Sequence, residues 1–169
     1  IDQIVCNFAT PQQVYSLNTN TAGDRKQRLY VTEDTVIVTM KFTDTSFGNL
    51  IASRVFGPQR TSLKVYGKDK ILTVSDTQFT VSDGFGGTGE EFEYDDNKFV
   101  CMTKLLENFA LSILSPDENK LCSTARENLK NMAVIESAYL SARTGMPEEP
   151  NRILQMAQTE PINIWQGHK

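Results

Sequence analysis

Histidine is almost missing from this sequence of 169 residues, because the single one, His168, is the penultimate residue. Chain ends are usually loosely ordered, whereas a Ser-His-Asp triad, a histidine-rich metal site and a histidine general base each need a firmly held imidazole. The sequence therefore predicts that none of these three kinds of site is present.

Cysteine is also scarce, with three widely spaced copies at Cys6, Cys101 and Cys122. Three is an odd number and no Cys-x-x-Cys pair occurs, so the pattern favours neither a disulfide framework nor a structural zinc site. The apolar neighbours of the thiols predict reduced core residues in a cytoplasmic protein.

Long hydrophobic runs and an excess of positive charge are missing as well. No stretch approaches the ~18 apolar residues of a membrane span, and the first residues have no signal-peptide pattern. The net charge is −4 and the pI is near 5.1, which is untypical of nucleic-acid binders. Because 39% of the residues are hydrophobic and 22% are charged, we expect a globular chain without a nucleic-acid or membrane partner.

The first half of the chain reads mainly as β-strands. Residues 4–8 alternate with period two, and residues 18–28 are polar and predict a surface loop. Residues 34–42 predict a strand with one buried face, and residues 49–56 predict the antiparallel strand that pairs with it. Four further short strands are predicted at 61–66, 71–74, 78–81 and 91–94.

The second half changes to helical spacing. Apolar residues three and four apart predict an amphipathic helix over 99–114 that ends before Pro116. Thr124 and Glu127 have the spacing of a capping box, Gly145 is a stop signal, and a short helix is predicted over 151–157. The second long helix has an apolar stripe of Leu129, Met132, Ala133, Tyr139 and Leu140, of which Leu129, Met132 and Tyr139 are expected to be buried against the sheet. Strands followed by helices predict an α+β fold, with a largely antiparallel or mixed open sheet and helices packed on one face.

The other face of that sheet is too apolar for a solvated surface and too polar for a core. Its apolar members interleave with Thr39, Lys41, Ser53 and Lys64. This mixture predicts an interface or a wall of a binding site; the alternative is an ordinary solvent face. The interface candidates are Ile37, Ile51, Val55 and Tyr66.

Three other patterns favour a structural interpretation over chemistry. The glycines of GFGGTG (84–89) fit a dinucleotide fingerprint, but an acidic, strand-like segment follows where a helix is needed, which predicts a hairpin loop. Glu91 and Glu93 are predicted on the solvent-exposed face of an edge strand, the alternative being a hard-cation site.

A basic loop is predicted to be solvated, with an anion contact as the alternative; its members are Arg25, Lys26 and Arg28.

Trp165, in the last segment, is expected to pack on this domain or on a partner.

Residues 131–145, NMAVIESAYLSARTG, resemble the last long helix of the glucose–fructose oxidoreductase/inositol dehydrogenase (Gfo/Idh/MocA) family. Glu33 and Asp34, followed by the hairpin VIVTMKFTDTSFGNLIASR (36–54), are similar to a family hairpin. The segment LKVYGKDKIL (63–72) is similar to a strand–turn–strand in which Gly67 matches the family glycine. The resemblance runs over residues 1–145 and leaves 146–169 as a C-terminal tail.

This resemblance implies the C-terminal sheet domain of an NAD(P)-dependent oxidoreductase that acts on a sugar, a polyol or a related compound. The family's Rossmann domain, its Glu-Lys-Pro segment and its histidine segment have no counterpart in this chain, so no catalytic, cofactor-binding or metal-binding residue is carried over. The chain alone is expected to be inactive, with NAD or NADP bound by an N-terminal Rossmann domain of the parent protein. The resemblance places Ser53 and Arg54 on the substrate side, the alternative for Arg54 being an ordinary surface arginine. It also implies a homo-oligomer through the open sheet face. The alternative is a non-catalytic binding or oligomerisation module that kept the fold without a cofactor domain.

Overall fold

A computed structural model of the chain describes residues 1–20, 33–57, 60–84, 87, 89–94 and 97–157. It divides into two compact units, Ile1–Gly57 with Ser123–Lys169, and Pro58–Cys122. In chain order the elements are α1 (Asp2–Phe8), β1 (Gln13–Thr19), β2 (Thr35–Lys41), β3 (Phe47–Ser53), β4 (Ser62–Tyr66), β5 (Lys70–Ser75), β6 (Gln78–Asp83), β7 (Glu90–Glu93), α2 (Lys98–Leu114), α3 (Ala125–Thr144) and α4 (Pro150–Ala157). Two antiparallel sheets with helices confirm the predicted α+β class.

The first unit contains a three-stranded antiparallel sheet in the order β1-β2-β3. The predicted hairpin is confirmed, because β2 and β3 pair in register with Val38 opposite Leu50. The loop predicted from residue 18 is wrong at its start, since Asn18 and Thr19 belong to β1 and pair with β2. Their polar side chains concealed this strand, because alternation is recognised by its apolar members.

The strand predicted over 4–8 is wrong, because residues 2–8 form the helix α1. Ile4 and Val5 both donate backbone hydrogen bonds to the Ile1 carbonyl oxygen, at 2.9 Å. Val5 is buried in the core, with Ile1 and Ile4 packed beside it. Five alternating residues fit either period, so tertiary packing decided the helical form.

The core of the first unit lies between the inner face of the sheet and α3. Val14, Val38, Met40 and Val134 are at most 1% exposed. The prediction that Leu129, Met132 and Tyr139 are buried is wrong, since these side chains are 49%, 52% and 41% exposed. The buried face of α3 is instead made of small residues: Ala133, Val134, Ser137, Ala138 and Ser141. Small side chains let the helix backbone approach the sheet closely, which leaves the larger apolar residues on its flanks.

Both ends of α3 follow their sequence signals. Thr124 and Glu127 form the predicted capping box, and Gly145 ends the helix in the left-handed conformation with φ of 72°. Hydrogen bonds from the backbone and side chain of Thr124 lower the pKa of the Glu127 carboxyl. Beyond Gly145, Glu148 bridges to Val14 of β1 through two 2.8 Å backbone hydrogen bonds, so residues after 145 also contact the sheet.

The second unit holds a four-stranded antiparallel sheet, β4-β5-β6-β7, and the helix α2. The strands on either side of GFGGTG, β6 and β7, pair antiparallel as the predicted hairpin requires, and a strand follows the glycine-rich segment, not a helix. A Cβ on Gly89 would overlap the Val81 carbonyl oxygen, so glycine is required there. Strand β7 is an edge strand with Glu91 and Glu93 exposed, as predicted.

The three cysteines are exposed, so their assignment to the core is wrong. Cys6 lies on α1 beside Val5, which takes the inward position, and Cys101 lies on α2, which has no buried residue. Within the described part of the chain, no helix is long and apolar enough to cross a membrane. The predictions for Arg25, Lys26, Arg28, Trp165 and His168 fall outside the described residues.

Candidate functional site

The outer face of the first unit's sheet is the side of β1, β2 and β3 opposite the core. Because side chains alternate along a strand, the buried Val14, Val38 and Met40 leave their neighbours in sequence on this outer face. Leu17, Ile37 and Ile51 are aligned there across three strands. Their exposed fractions are 54%, 43% and 71%, so the outer face carries a continuous apolar row.

Hydrogen-bonded polar pairs border this apolar row on both sides. The Thr39 hydroxyl donates to Asn49 Oδ1 at 2.9 Å, and the hydroxyls of Thr35 and Ser53 are 2.9 Å apart. Such a pattern of an apolar centre and a polar rim is typical of protein interfaces.

The rim also contains one surface ion pair. Lys41 Nζ lies 2.9 Å from Asp44 Oδ1, and the hydrogen bond from Lys41 lowers the pKa of the Asp44 carboxyl. The pair adds little stability, because both groups are near solvent. Its position at the end of β2 keeps charge away from the apolar centre.

Ser53 closes β3 with a hydroxyl whose hydrogen-bonding capacity is fully used. Its oxygen accepts from the backbone N–H groups of Val55 at 3.2 Å and Phe56 at 2.9 Å, beside the Thr35 contact. A hydroxyl offers one donor and two acceptor positions. The Ser53 hydroxyl therefore uses its hydrogen bonds to stabilise the turn that follows β3. Arg54 begins that turn, and its backbone N–H donates to the Asp34 carbonyl oxygen at 3.0 Å.

The structure brings together only part of the predicted interface set. Ile37 and Ile51 are cross-strand neighbours, and Val55 follows β3 outside the strand, with 48% exposure. Tyr66, which is 71% exposed, belongs to β4 in the other unit. Sequence reasoning missed Tyr15 and Leu17, whose alternation with Ser16 and Asn18 was the available signal.

A cavity of about 90 Å³ lies on the opposite side of the same sheet, against α3. Its lining is mainly apolar, with Val36, Leu50 and Ile135 among its members. At its polar end Tyr139 donates a hydrogen bond to Glu33, which raises the pKa of the Tyr139 phenol. One carboxylate and one phenol are too few for metal binding, and the described residues contain no group of three or more metal-ligating side chains.

The two-unit α+β architecture is the fold of one half of several oxidoreductase chains. An oxidoreductase from Agrobacterium radiobacter, solved in complex with NAD+, L-tartaric acid and magnesium, matches with a TM-score of 0.73 at 10% identity. The match covers 90% of this chain and 47% of that one. This chain therefore spans about half the length of that protein.

Two further oxidoreductases give the same result. The aldose-aldose oxidoreductase from Caulobacter crescentus, complexed with glycerol, matches with a TM-score of 0.62 at 18% identity over 82% of this chain and 41% of that one. The WlbA dehydrogenase from Bordetella pertussis, in complex with NADH and UDP-GlcNAcA, matches with a TM-score of 0.52 at 18% identity over 88% and 41%. No protein-family model and no curated protein matches the sequence.

These similarities confirm the fold that the resemblance to the Gfo/Idh/MocA family implied. At identities of 10–18% the shared property is the fold. Each match leaves more than half of the larger chain uncovered.

Proposed function

We propose that this chain is the C-terminal, substrate-side and oligomerisation domain of a cytoplasmic NAD(P)-dependent oxidoreductase acting on a sugar, a polyol or a related compound. The observation that carries the proposal is the fold match over 90% of this chain and 47% of an oxidoreductase solved with NAD+. Matches to an aldose-aldose oxidoreductase and to a dehydrogenase solved with NADH and a nucleotide sugar support the same reaction class.

In this proposal the nicotinamide cofactor belongs to an N-terminal Rossmann domain of the parent protein. The glycine-rich segment of this chain leads into the acidic strand β7, where carboxylates would repel a pyrophosphate. We therefore expect the 169-residue chain alone to bind no NADH and to transfer no hydride.

Titration of the chain with NADH, followed by nicotinamide fluorescence, tests this expectation. Saturable binding at micromolar NADH would contradict it. The coding sequence upstream of Ile1 gives a second test: a Rossmann fingerprint with a histidine segment supports the oxidoreductase, and the lack of both supports the non-catalytic module instead. That module is the second candidate, and the apolar outer face favours it, because an association surface needs no cofactor.

The substrate-side role of Ser53 and Arg54 is part of the proposal. The Ser53 hydroxyl holds the turn, and Arg54 at that turn supplies a guanidinium suited to a carboxylate or a hydroxyl. In the complete oxidoreductase, Arg54→Lys should raise KM more than it lowers kcat, since a binding contact is altered. Unchanged kinetics in both parameters would remove Arg54 from the site.

Self-association through the outer face of the first unit's sheet is the second part of the proposed function. Pairing two such faces about a twofold axis would bury the row of Leu17, Ile37 and Ile51 and leave Lys41 near the rim. Light scattering of the chain should show a dimer or larger assembly that Ile51→Glu dissociates. The matched control is Ile113→Glu on α2, an isoleucine with 64% exposure, which should leave the assembly intact. A monomer at high micromolar concentration that is unchanged by Ile51→Glu would contradict this role.

A further inference from the structure

A second concave site lies in the other unit, on one face of its sheet where β4 begins and β5 ends. The cleft has a volume of about 420 Å³. The antiparallel register sets Ser62 opposite Ser75 and Lys64 opposite Thr73, so these four side chains project from the same face. The intervening Leu63 and its partner Val74 project from the other face.

The cleft combines two cations with hydroxyl groups. Arg60 and Lys64 line it together with Ser62, Thr73 and Thr77. Among the residues that the structure describes, neither cation has a carboxylate within ion-pair distance. In the same part of the chain the hydroxyls of Ser62, Thr73 and Thr77 have no hydrogen-bond partner, so three donors remain available for a ligand.

The Ser75 hydroxyl and the Asp76 carboxylate of the cleft are already engaged. The Ser75 hydroxyl both accepts from and donates to the backbone of Gln78, at 3.2 Å. The Asp76 carboxylate accepts from the Thr61 backbone N–H at 3.4 Å, which directs it towards the residue that precedes β4. Asp76 still reduces the positive charge of the cleft from two to one, so moderate affinity for an anion is expected.

We propose that this cleft binds a phosphate group, as free phosphate or as a phosphate monoester. A phosphate offers three or four acceptor oxygens, which matches a guanidinium fork, an ammonium and three hydroxyl donors. A carboxylate, with two oxygens, would leave part of this donor set unused. The acidic edge of the same face, Glu91, lies three strand spacings from Lys64, or about 14 Å at ~4.8 Å each, which is beyond the screening length at physiological salt.

The site is independent of the proposed oxidoreductase role, since it uses none of the residues on the outer face of the first unit. Amide NMR of the full 169-residue chain tests it by titration with inorganic phosphate at constant ionic strength. Saturable shifts are expected for Lys64, Thr73 and Thr77. Titration with glycerol 3-phosphate distinguishes the two sources, because tighter binding than inorganic phosphate identifies a monoester ligand and equal binding identifies the free ion.

Lys64→Gln should weaken phosphate binding about tenfold, the usual effect of removing one charge-assisted hydrogen bond. Lys68→Gln, at the exposed turn between β4 and β5, is the matched control and should bind as the unaltered chain does. Far-UV circular dichroism verifies that both variants are folded. The proposal is overturned if sodium chloride alone produces the same shifts, if succinate binds as tightly as phosphate, or if both lysine variants lose affinity equally.

Discussion

The two units contain the same kinds of element, an antiparallel sheet and a long helix, yet among the described residues a buried core is found only in the first. In the first unit Val14, Met40 and Val134 are fully buried between sheet and helix. In the second unit no described residue is buried, and α2 exposes Phe99 and Leu114 by 79% and 77%. Amphipathic elements alone therefore do not make a core; the sheet and the helix must also present closely fitting faces.

The two helices differ in their side chains and in their packing: α3 packs against β1, whereas among the described residues α2 has no extensive packing on a strand. Helix α3 presents a stripe of alanine and serine, and Ser141 Oγ accepts a hydrogen bond from the Ser16 backbone N–H at 3.0 Å. Helix α2 instead carries large apolar residues, and its Asn108 side chain binds the Lys120 carbonyl and the Cys122 N–H. Most of the chain's free energy of unfolding should therefore come from the first unit.

The largest expected effect is a cavity in the first unit. Met40→Ala should reduce the free energy of unfolding by about 2–5 kcal/mol, because Met40 is fully buried on the inner face of β2. Leu106→Ala on α2, where the side chain is 61% exposed, should change it by less than about 0.5 kcal/mol. Chemical denaturation measures both. Equal losses would show that α2 is covered in solution.

A serine on each long helix gives the next comparison. Ser141→Ala leaves the buried N–H of Ser16 without its partner, which should cost about 1–3 kcal/mol. Ser112→Ala on α2 removes only a local bond to the Phe109 carbonyl and should be within about 0.5 kcal/mol of the unaltered chain. If Ser141→Ala is neutral in denaturation, the close contact between α3 and β1 is not required for stability.

The N-terminal caps of α3 and α2 test whether the two helices unfold in one cooperative transition. Thr124→Ala removes the cap of α3 and should lower the free energy of unfolding by about 1 kcal/mol. Asn97 caps α2 by accepting from Phe99 and Val100. Asn97→Ala should reduce helix content by circular dichroism without shifting the main unfolding transition. A shift as large as that of Thr124→Ala would place α2 within the same cooperative unit as α3.

The smallest effect is a pH dependence in the first unit. The hydrogen bond to Glu33 raises the pKa of Tyr139 above its ordinary value of 10.0. The folded state therefore holds this proton more tightly than the unfolded state, and the resulting stability is complete below pH 10.0 and is lost as the pH rises through the folded-state pKa. Tyr139→Phe should flatten the alkaline decline measured by denaturation, and Glu33→Gln should do so in part. An unaltered slope in both variants would exclude this pair as a source of the decline.

Local signals in the sequence predicted much of the fold. The alternation around Val38 and Met40 predicted β2, and turn residues predicted its return as β3. Thr124, Glu127 and Gly145 predicted both ends of α3, because caps satisfy backbone groups within a few residues. The hairpin at GFGGTG was predicted from the acidic strand that follows it. Each of these features depends on neighbours in the chain, which the sequence displays directly.

Tertiary structure decided which face of each element is buried and which side chains lie together. Residues 4–8 fit a strand or a helix, and only the packing of Val5 made them α1. The burial of Val134 and Ser137 instead of Leu129 follows from how closely α3 approaches the sheet. Leu17 joined Ile37 and Ile51 only through the pairing of β1 with β2. The sequence by itself determined the β2–β3 hairpin and the two ends of α3, whose signals are local. The tertiary structure decided the form of residues 2–8, the pairing of β1 and the surfaces that each element covers, because these depend on contacts between residues that are distant in the chain.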